Sequence, residues 1–170
     1  MAQAITDDDR KFLKLALEEA QKGYDEGGIP IGALLVSSAG EILGRGHNLR
    51  IQKSSPTLHA EMAALENAGR QPASVYKNAI MYTTLSPCSM CTGAILLYGI
   101  PRVIIGENRT YLGSEDWLAR KGVVAVNVDD DACYRLLQRF VRERPADWGE
   151  DIGEEAEAEA GAGTGTGTCN

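Results

Sequence analysis

Two short segments constrain this chain most tightly: His59-Ala60-Glu61 and Pro87-Cys88-Ser89-Met90-Cys91. One imidazole and two thiolates are three zinc donors, one short of a closed tetrahedral set, and that is how a catalytic zinc keeps a position open for water. Cys88 and Cys91 are three apart, so on a helix both sulfurs share a face. Early in that helix the positive end of the dipole favours thiolate. Positions two apart diverge within a helix, so His59 and Glu61 can share a target only if it lies beyond their helix's N-terminal end. Two helix N-termini facing each other across one ion satisfy all four residues, and any fold for this chain has to supply that arrangement.

The surrounding pattern supplies the helices and strands. Asp9 to Tyr24 carries apolar residues at helical spacing and stops at Gly27-Gly28. Ile31 to Val36 and Glu41 to Leu43 read as a hairpin around Ser38-Ala39-Gly40. Thr57 is a candidate cap for a helix from Leu58 to Ala68, with Leu58, Met62 and Leu65 on its buried side. Ala79 to Thr84 reads as a strand. Ser86-Pro87 reads as the start of a helix ending at Tyr98-Gly99. Strands are expected over Arg102 to Gly106 and Val123 to Val128, with a crossover helix over Glu115 to Lys121 that makes them parallel. Asp131 to Arg144 is the closing helix, with Cys133, Leu136, Leu137, Phe140 and Val141 inward. A hairpin followed by alternating helices and strands predicts an α/β fold, a three-layer α/β/α sandwich around a mixed five-stranded sheet.

Length and charge narrow the function. A chain of 170 residues with 44% hydrophobic composition makes one domain with a real core. The expected boundaries are 1–154 for that domain and 155–170 for a disordered Glu-Ala and Gly-Thr tail. Of the 24 acidic residues, eight lie from Glu143 onward, opposed there by Arg144 alone, so the net charge of -7 belongs to the C-terminus. The body is neutral and has no basic stripe for a phosphate backbone, so no nucleic-acid partner is expected. No run reaches the roughly 18–20 apolar residues of a membrane span, and the N-terminus lacks a secretory pattern. A cytoplasmic location, with access to the nucleus, is expected. Cys133 reads as a core residue and Cys169 as part of the loose tail.

The chemistry expected of the two segments is hydrolytic. Bound zinc lowers the pKa of water from about 15.7 to about 7, and Glu61 is placed to carry the protons. H-x-E followed by P-C-x-x-C resembles the signature of the zinc deaminases that act on nucleobases. Alternatives remain at this level. Cys-x-x-Cys alone also fits a redox pair or a structural zinc half-site, with His47 the only other histidine. Guanine, nucleotide, riboflavin-precursor and transfer-RNA adenosine deaminases share the motif, and a zinc-stabilised binding module without activity would also carry it. Gly44-Arg45-Gly46 lacks the third glycine of a dinucleotide loop.

The flanking residues narrow the field. The chain resembles the fungal cytosine deaminases at Glu26-Gly27-Gly28-Ile29-Pro30-Ile31-Gly32, at Leu43-Gly44-Arg45-Gly46-His47-Asn48 and at Thr83-Thr84-Leu85-Ser86-Pro87-Cys88. The likeness continues through Tyr98-Gly99-Ile100-Pro101-Arg102, Gly106-Glu107-Asn108 and Glu143-Arg144-Pro145 to Asp147-Trp148-Gly149-Glu150-Asp151-Ile152-Gly153-Glu154. It implies a homodimeric enzyme converting free cytosine to uracil and ammonia in pyrimidine salvage, with one Zn2+ per chain on His59, Cys88 and Cys91 and Glu61 as proton shuttle. By the same resemblance Asn48 and the Ala60 N–H meet the pyrimidine edge, and Asp151 holds the base from the C-terminal segment. Ile31, Tyr111, Trp148 and Ile152 wall the pocket. Two positions depart from the family pattern: Tyr111 stands in place of phenylalanine, and Gly149 in place of an aromatic residue.

Overall fold

The computed structural model describes residues 4–154, so the expected disordered tail and Cys169 lie outside the described residues. Helix α1 (Asp7–Asp25) opens with a capping box: Thr6 Oγ1 accepts the Asp9 N–H at 3.0 Å, and Asp9 Oδ2 accepts the Thr6 N–H at 2.9 Å. The Asp9 carboxylate goes on to bind the Tyr82 hydroxyl and the Arg102 guanidinium, tying the helix to the sheet beneath it.

Strands β1 (Gly32–Ser37) and β2 (Ile42–His47) form the expected hairpin, and β3 (Ala79–Leu85), β4 (Arg102–Glu107) and β5 (Val124–Asn127) complete a five-stranded sheet in the order β2-β1-β3-β4-β5. β1 is antiparallel to both its neighbours, whereas β3, β4 and β5 run parallel. The parallel links pass through α5 (Ser89–Tyr98) and α6 (Glu115–Arg120), as a crossover connection requires. Alternate residues divide the sheet between two layers. Leu34, Val36, Tyr82 and Ile104 pack on Phe12 and Ala16 of α1. Ala33, Leu35, Met81, Val103 and Ile105 pack on α5 and on α3 (Ala60–Ala68). α7 (Asp131–Glu143) lies on the α1 side, where its Cys133 meets Gly106. The three-layer sandwich with a mixed sheet is therefore the observed fold.

Bare strand positions seat the helices. A Cβ on Gly32 would lie 2.0 Å from the Ala16 carbonyl oxygen of α1. On Gly44 it would lie 2.2 Å from the Ala64 carbonyl oxygen of α3. This close approach corrects two expectations. β2 runs on through Gly44-Arg45-Gly46 to His47 and does not end at Leu43. The buried face of α3 is the small one, Ala60, Ala63, Ala64 and Ala68 with Leu65, while Leu58 and Met62 are only half-buried.

The helix starts also move. His59, not Thr57, is the N-cap of α3, and Cys88, not Ser86, is the N-cap of α5. Ser86 instead donates its hydroxyl to Glu115 and accepts the Gly113 N–H. Three short helices had no sequence signature strong enough to predict them: α2 (Arg50–Lys53), α4 (Ala73–Tyr76) and α8 (Pro145–Asp151). Pro145 begins the last of these, where a missing N–H costs nothing. Of the inward residues expected on α7, Cys133, Leu137 and Phe140 are buried, and Leu136 and Val141 are half-buried.

Candidate functional site

His59 and Cys88 stand in matching places on two helices. Each is an N-cap with extended backbone (φ −63°, ψ 165° and φ −66°, ψ 175°), and neither uses its side chain to cap its own helix. N-cap side chains commonly bond the first free amides of their helix, so these two donors are left for another partner. Cys91 is the third residue of α5, the position that a capping box brings against the N-cap side chain. The three donor atoms lie within 4.8 Å of one another, with His59 Nδ1 3.6 Å from Cys88 Sγ. Ligands about 2.1 and 2.3 Å from a tetrahedral zinc lie roughly 3.6 Å apart, so the set fits that ion. Cys91's hydrogen bond at the Cys88 sulfur pulls the Cys88 thiol down to about 4, with His59 helping, and pushes Cys91 up. Two sulfurs sharing one proton behave this way, and a cation takes the place of such a proton.

Glu61 is the second residue of α3 and is buried beside this triangle. Burial pushes its carboxyl up, and the Cys88 charge pushes it further. Its Oε1 lies 3.1 Å from Thr83 Oγ1, a fully buried hydroxyl on β3 to which the sequence assigned no role. A cavity of about 320 Å³ opens above, lined by His59, Cys88, Glu61 and Ala60. Ala60 is the first residue of α3, so its N–H has no acceptor within the helix. Ile31, Tyr111, Trp148 and Ile152 all reach the cavity wall, as does Asp151.

Asn48 stands one step back. It is fully buried, its Nδ2 donates to Asp151 Oδ1 at 2.9 Å, and its Oδ1 accepts the Arg50 N–H at 3.0 Å. Its carboxamide therefore serves its own turn and the C-terminal helix together. His47, next in the chain, points to the opposite face of the sheet. Its two ring nitrogens lie 3.0 Å from Glu19 and 2.8 Å from Glu26, so it braces α1 and takes no part in the triangle.

Sequence reasoning missed several wall and support residues. Arg50, Ser89 and Met90 line the cavity. Glu107 is fully buried, and its Oε2 accepts the N–H groups of Arg109 and Thr110, shaping the loop that carries Tyr111. The Gly106-Glu107-Asn108 motif marked this loop without disclosing its work. An acid closing an otherwise apolar strand is the signal that could have found it.

The profile of the cytidine and deoxycytidylate deaminase zinc-binding region matches residues 6–107, a span that holds the whole donor triangle and Glu61. The chain belongs to the cytidine and deoxycytidylate deaminase family. Within this deaminase family it is 58% identical over 150 residues to a cytosine deaminase of Candida albicans, covering 88% of this chain and 100% of that one. A tRNA-specific adenosine deaminase of Haemophilus influenzae is 45% identical over 109 residues, covering 63% of this chain and 62% of its own. Among solved structures, a transfer-RNA deaminase that edits A to I at the wobble position superposes with a TM-score of 0.65 at 26% identity, covering 75% of this chain and 99% of that chain. A guanine deaminase from Nitrosomonas europaea gives a TM-score of 0.63 at 18% identity, covering 81% and 85%, which is a likeness of fold. The protein is a zinc-dependent deaminase.

Proposed function

We propose that the protein hydrolyses free cytosine to uracil and ammonia, within residues 1–154, as a step of pyrimidine salvage. The observation that carries the reading is Glu61, a buried carboxylate in the first turn of the helix that His59 begins, at the floor of the cavity. The choice of base rests on the 58% identity to the Candida albicans cytosine deaminase along that enzyme's whole length.

His59, Cys88 and Cys91 would hold the zinc, which supplies a water acidic enough to act as a nucleophile at neutral pH. Glu61 takes one proton from the attacking water and delivers it to the ring nitrogen beside the amino-bearing carbon. As the carbon–nitrogen bond breaks, Glu61 carries the second water proton to the departing amine, which leaves as ammonia. The Ala60 N–H donates to the ring carbonyl. Asp151 takes the N–H edge of the base, and Asn48, expected to meet that edge itself, stands one step back and holds the Asp151 carboxylate with its Nδ2. Ile31, Tyr111, Trp148 and Ile152 enclose the flat ring, an apolar wall with a few fixed polar groups.

A homodimer is supported by the exposed side chains of Leu97 and Tyr98 at the end of α5. Leu97→Glu should convert a dimer to a monomer in light scattering. A cytoplasmic and nuclear location is consistent with the thiol pair, and among the described residues no helix is long and apolar enough to cross a membrane.

Ammonia release from cytosine, cytidine, deoxycytidylate, adenine and guanine tests the substrate. Cytosine should exceed the others in kcat/KM by at least about a hundredfold, since a site built to bind polar groups rejects mismatches strongly. Equal efficiency on cytidine would overturn the free-base assignment, and activity confined to a transfer-RNA anticodon loop would replace it.

A further inference from the structure

We propose that Arg50 is the positioning residue that clamps α8 shut over the cavity, gripping Glu150 on the outside and Asp151 on the inside. The clamp rests on the reading that the cavity receives the base.

Arg50 opens the one-turn helix α2, and its aim is set by its own segment. Asn48 Oδ1 accepts its N–H, and its Nε donates to the Pro56 carbonyl at 3.2 Å. The two terminal nitrogens then cross to the C-terminal helix. Nη1 and Nη2 fork onto the Glu150 carboxylate at 2.8 and 2.5 Å, and Nη1 also donates to Asp151 Oδ1 at 3.1 Å. Among the described residues, the ion pairs of Glu150 and Asp151 run to Arg50 and to His59. No other guanidinium in that set spans the cavity mouth.

Exposed ion pairs contribute little, but this one differs in kind. The Arg50 side chain is only 11% exposed and that of Asp151 only 2%. Removing the guanidinium strips a buried carboxylate of its cation, and a lysine cannot reproduce a fork that holds two carboxylates in one plane. α8 carries Trp148 and Asp151, and Ile152 follows it directly, so its docking decides whether the cavity has a roof. A roof held by a clamp has to release it for the base to enter and the product to leave. Loosening the clamp therefore weakens substrate capture and leaves the chemical step intact.

The test uses the full-length zinc-loaded enzyme with Arg50→Gln, Arg50→Lys and Glu150→Gln, read by hydrogen exchange and by steady-state kinetics on cytosine. In Arg50→Gln, amides of residues 145–154 should exchange about tenfold faster and KM should rise about tenfold, the size of one lost charge-assisted contact. The β3 amides and zinc content should not change, and kcat should hold or rise. Arg50→Lys and Glu150→Gln should fall between that variant and the parent. They carry the test if Arg50→Gln also loosens β3. Wild-type exchange and wild-type KM in Arg50→Gln would overturn the clamp, and so would a loss of kcat at unchanged KM and exchange. If the parent enzyme ignores cytosine while Arg50→Gln still frees α8, the substrate reading falls and the clamp stands.

Discussion

Thr83 Oγ1 lies 3.1 Å from Glu61 Oε1 and 3.1 Å from the carbonyl oxygen of Leu85, so one buried hydroxyl joins the acid of α3 to the end of β3. Thr83→Val keeps the volume and deletes that link. A hydrogen bond to a charged group is worth about 1.5–3 kcal/mol, so kcat/KM on cytosine should fall roughly ten- to a hundredfold with zinc content unchanged. Thr83→Ser should stay within a few-fold of the parent. Equal activity in Thr83→Val and the parent would remove Thr83 from any role in holding Glu61.

Glu61→Gln tests the proton path directly. The amide fills the same space but carries no proton between water, ring and amine. Turnover should drop by at least about a thousandfold, towards the upper range for a general acid–base group, with the fold and the metal retained. A variant keeping a tenth of parental turnover would assign the proton transfers elsewhere.

Metal analysis should give about one zinc per chain, because three donors build one site. Cys88→Ala should lose both zinc and activity. Chelation should lower the thermal midpoint as well, since an ion held by His59, Cys88 and Cys91 would tie the starts of α3 and α5 together and add its binding free energy to that of folding. Full zinc in Cys88→Ala would place the ion at other ligands.

Truncation separates roof from tail. Ending the chain after Asp147 removes Trp148, Asp151 and Ile152, all of them wall residues, and should reduce kcat/KM by at least about a hundredfold, as expected when a closing element is lost. Ending it after Glu154 should leave activity within about twofold. An active protein without residues 148–154 would refute the roof.

Asp9 and Glu19 each tie acid pH to a loss of folded stability. Burial pushes Asp9 up, but hydrogen bonds from Thr6 and Tyr82 and the Arg102 charge outweigh it, leaving the carboxyl below its ordinary 3.8. Glu19 is pushed up by burial and drawn further down by His47 and Arg45, below its ordinary 4.5. A lowered folded value adds stability that is complete above the unfolded value and disappears as pH falls through the folded one. The thermal midpoint should therefore decline below about pH 4.5. The deficit of Asp9→Asn relative to the parent should be full at pH 7 and should shrink steadily as pH falls below the ordinary carboxyl value of 3.8. A deficit that did not shrink would show that the Asp9 charge contributes nothing.

The sandwich and the convergence of four chemical residues were legible because each rests on local pattern. Period-two and period-3.6 apolar runs fixed the strands and helices, and the spacing of His59, Glu61, Cys88 and Cys91 required facing helix N-termini. The exact starts of those helices were hidden because Thr57 and Ser86 look like caps, whereas the true N-caps, His59 and Cys88, have side chains that do not cap. Arg50, Thr83 and Glu107 were invisible for another reason. Arg50 and Thr83 act through partners distant in the chain, and Glu107 through the amides of a loop whose shape only the fold reveals, so nothing in the neighbouring sequence distinguishes them from ordinary surface or strand residues.

Gly44 offers no functional group, yet it fixes how deeply α3 is sunk into the sheet. A single methyl there would lift the carbonyl row of that helix. Because the helix begins at His59, the displacement would reach the imidazole before any donor atom had been replaced. The donor triangle is thus calibrated by an empty space on a strand, and the chain could lose its grip on the ion through a change that leaves every ligand in place.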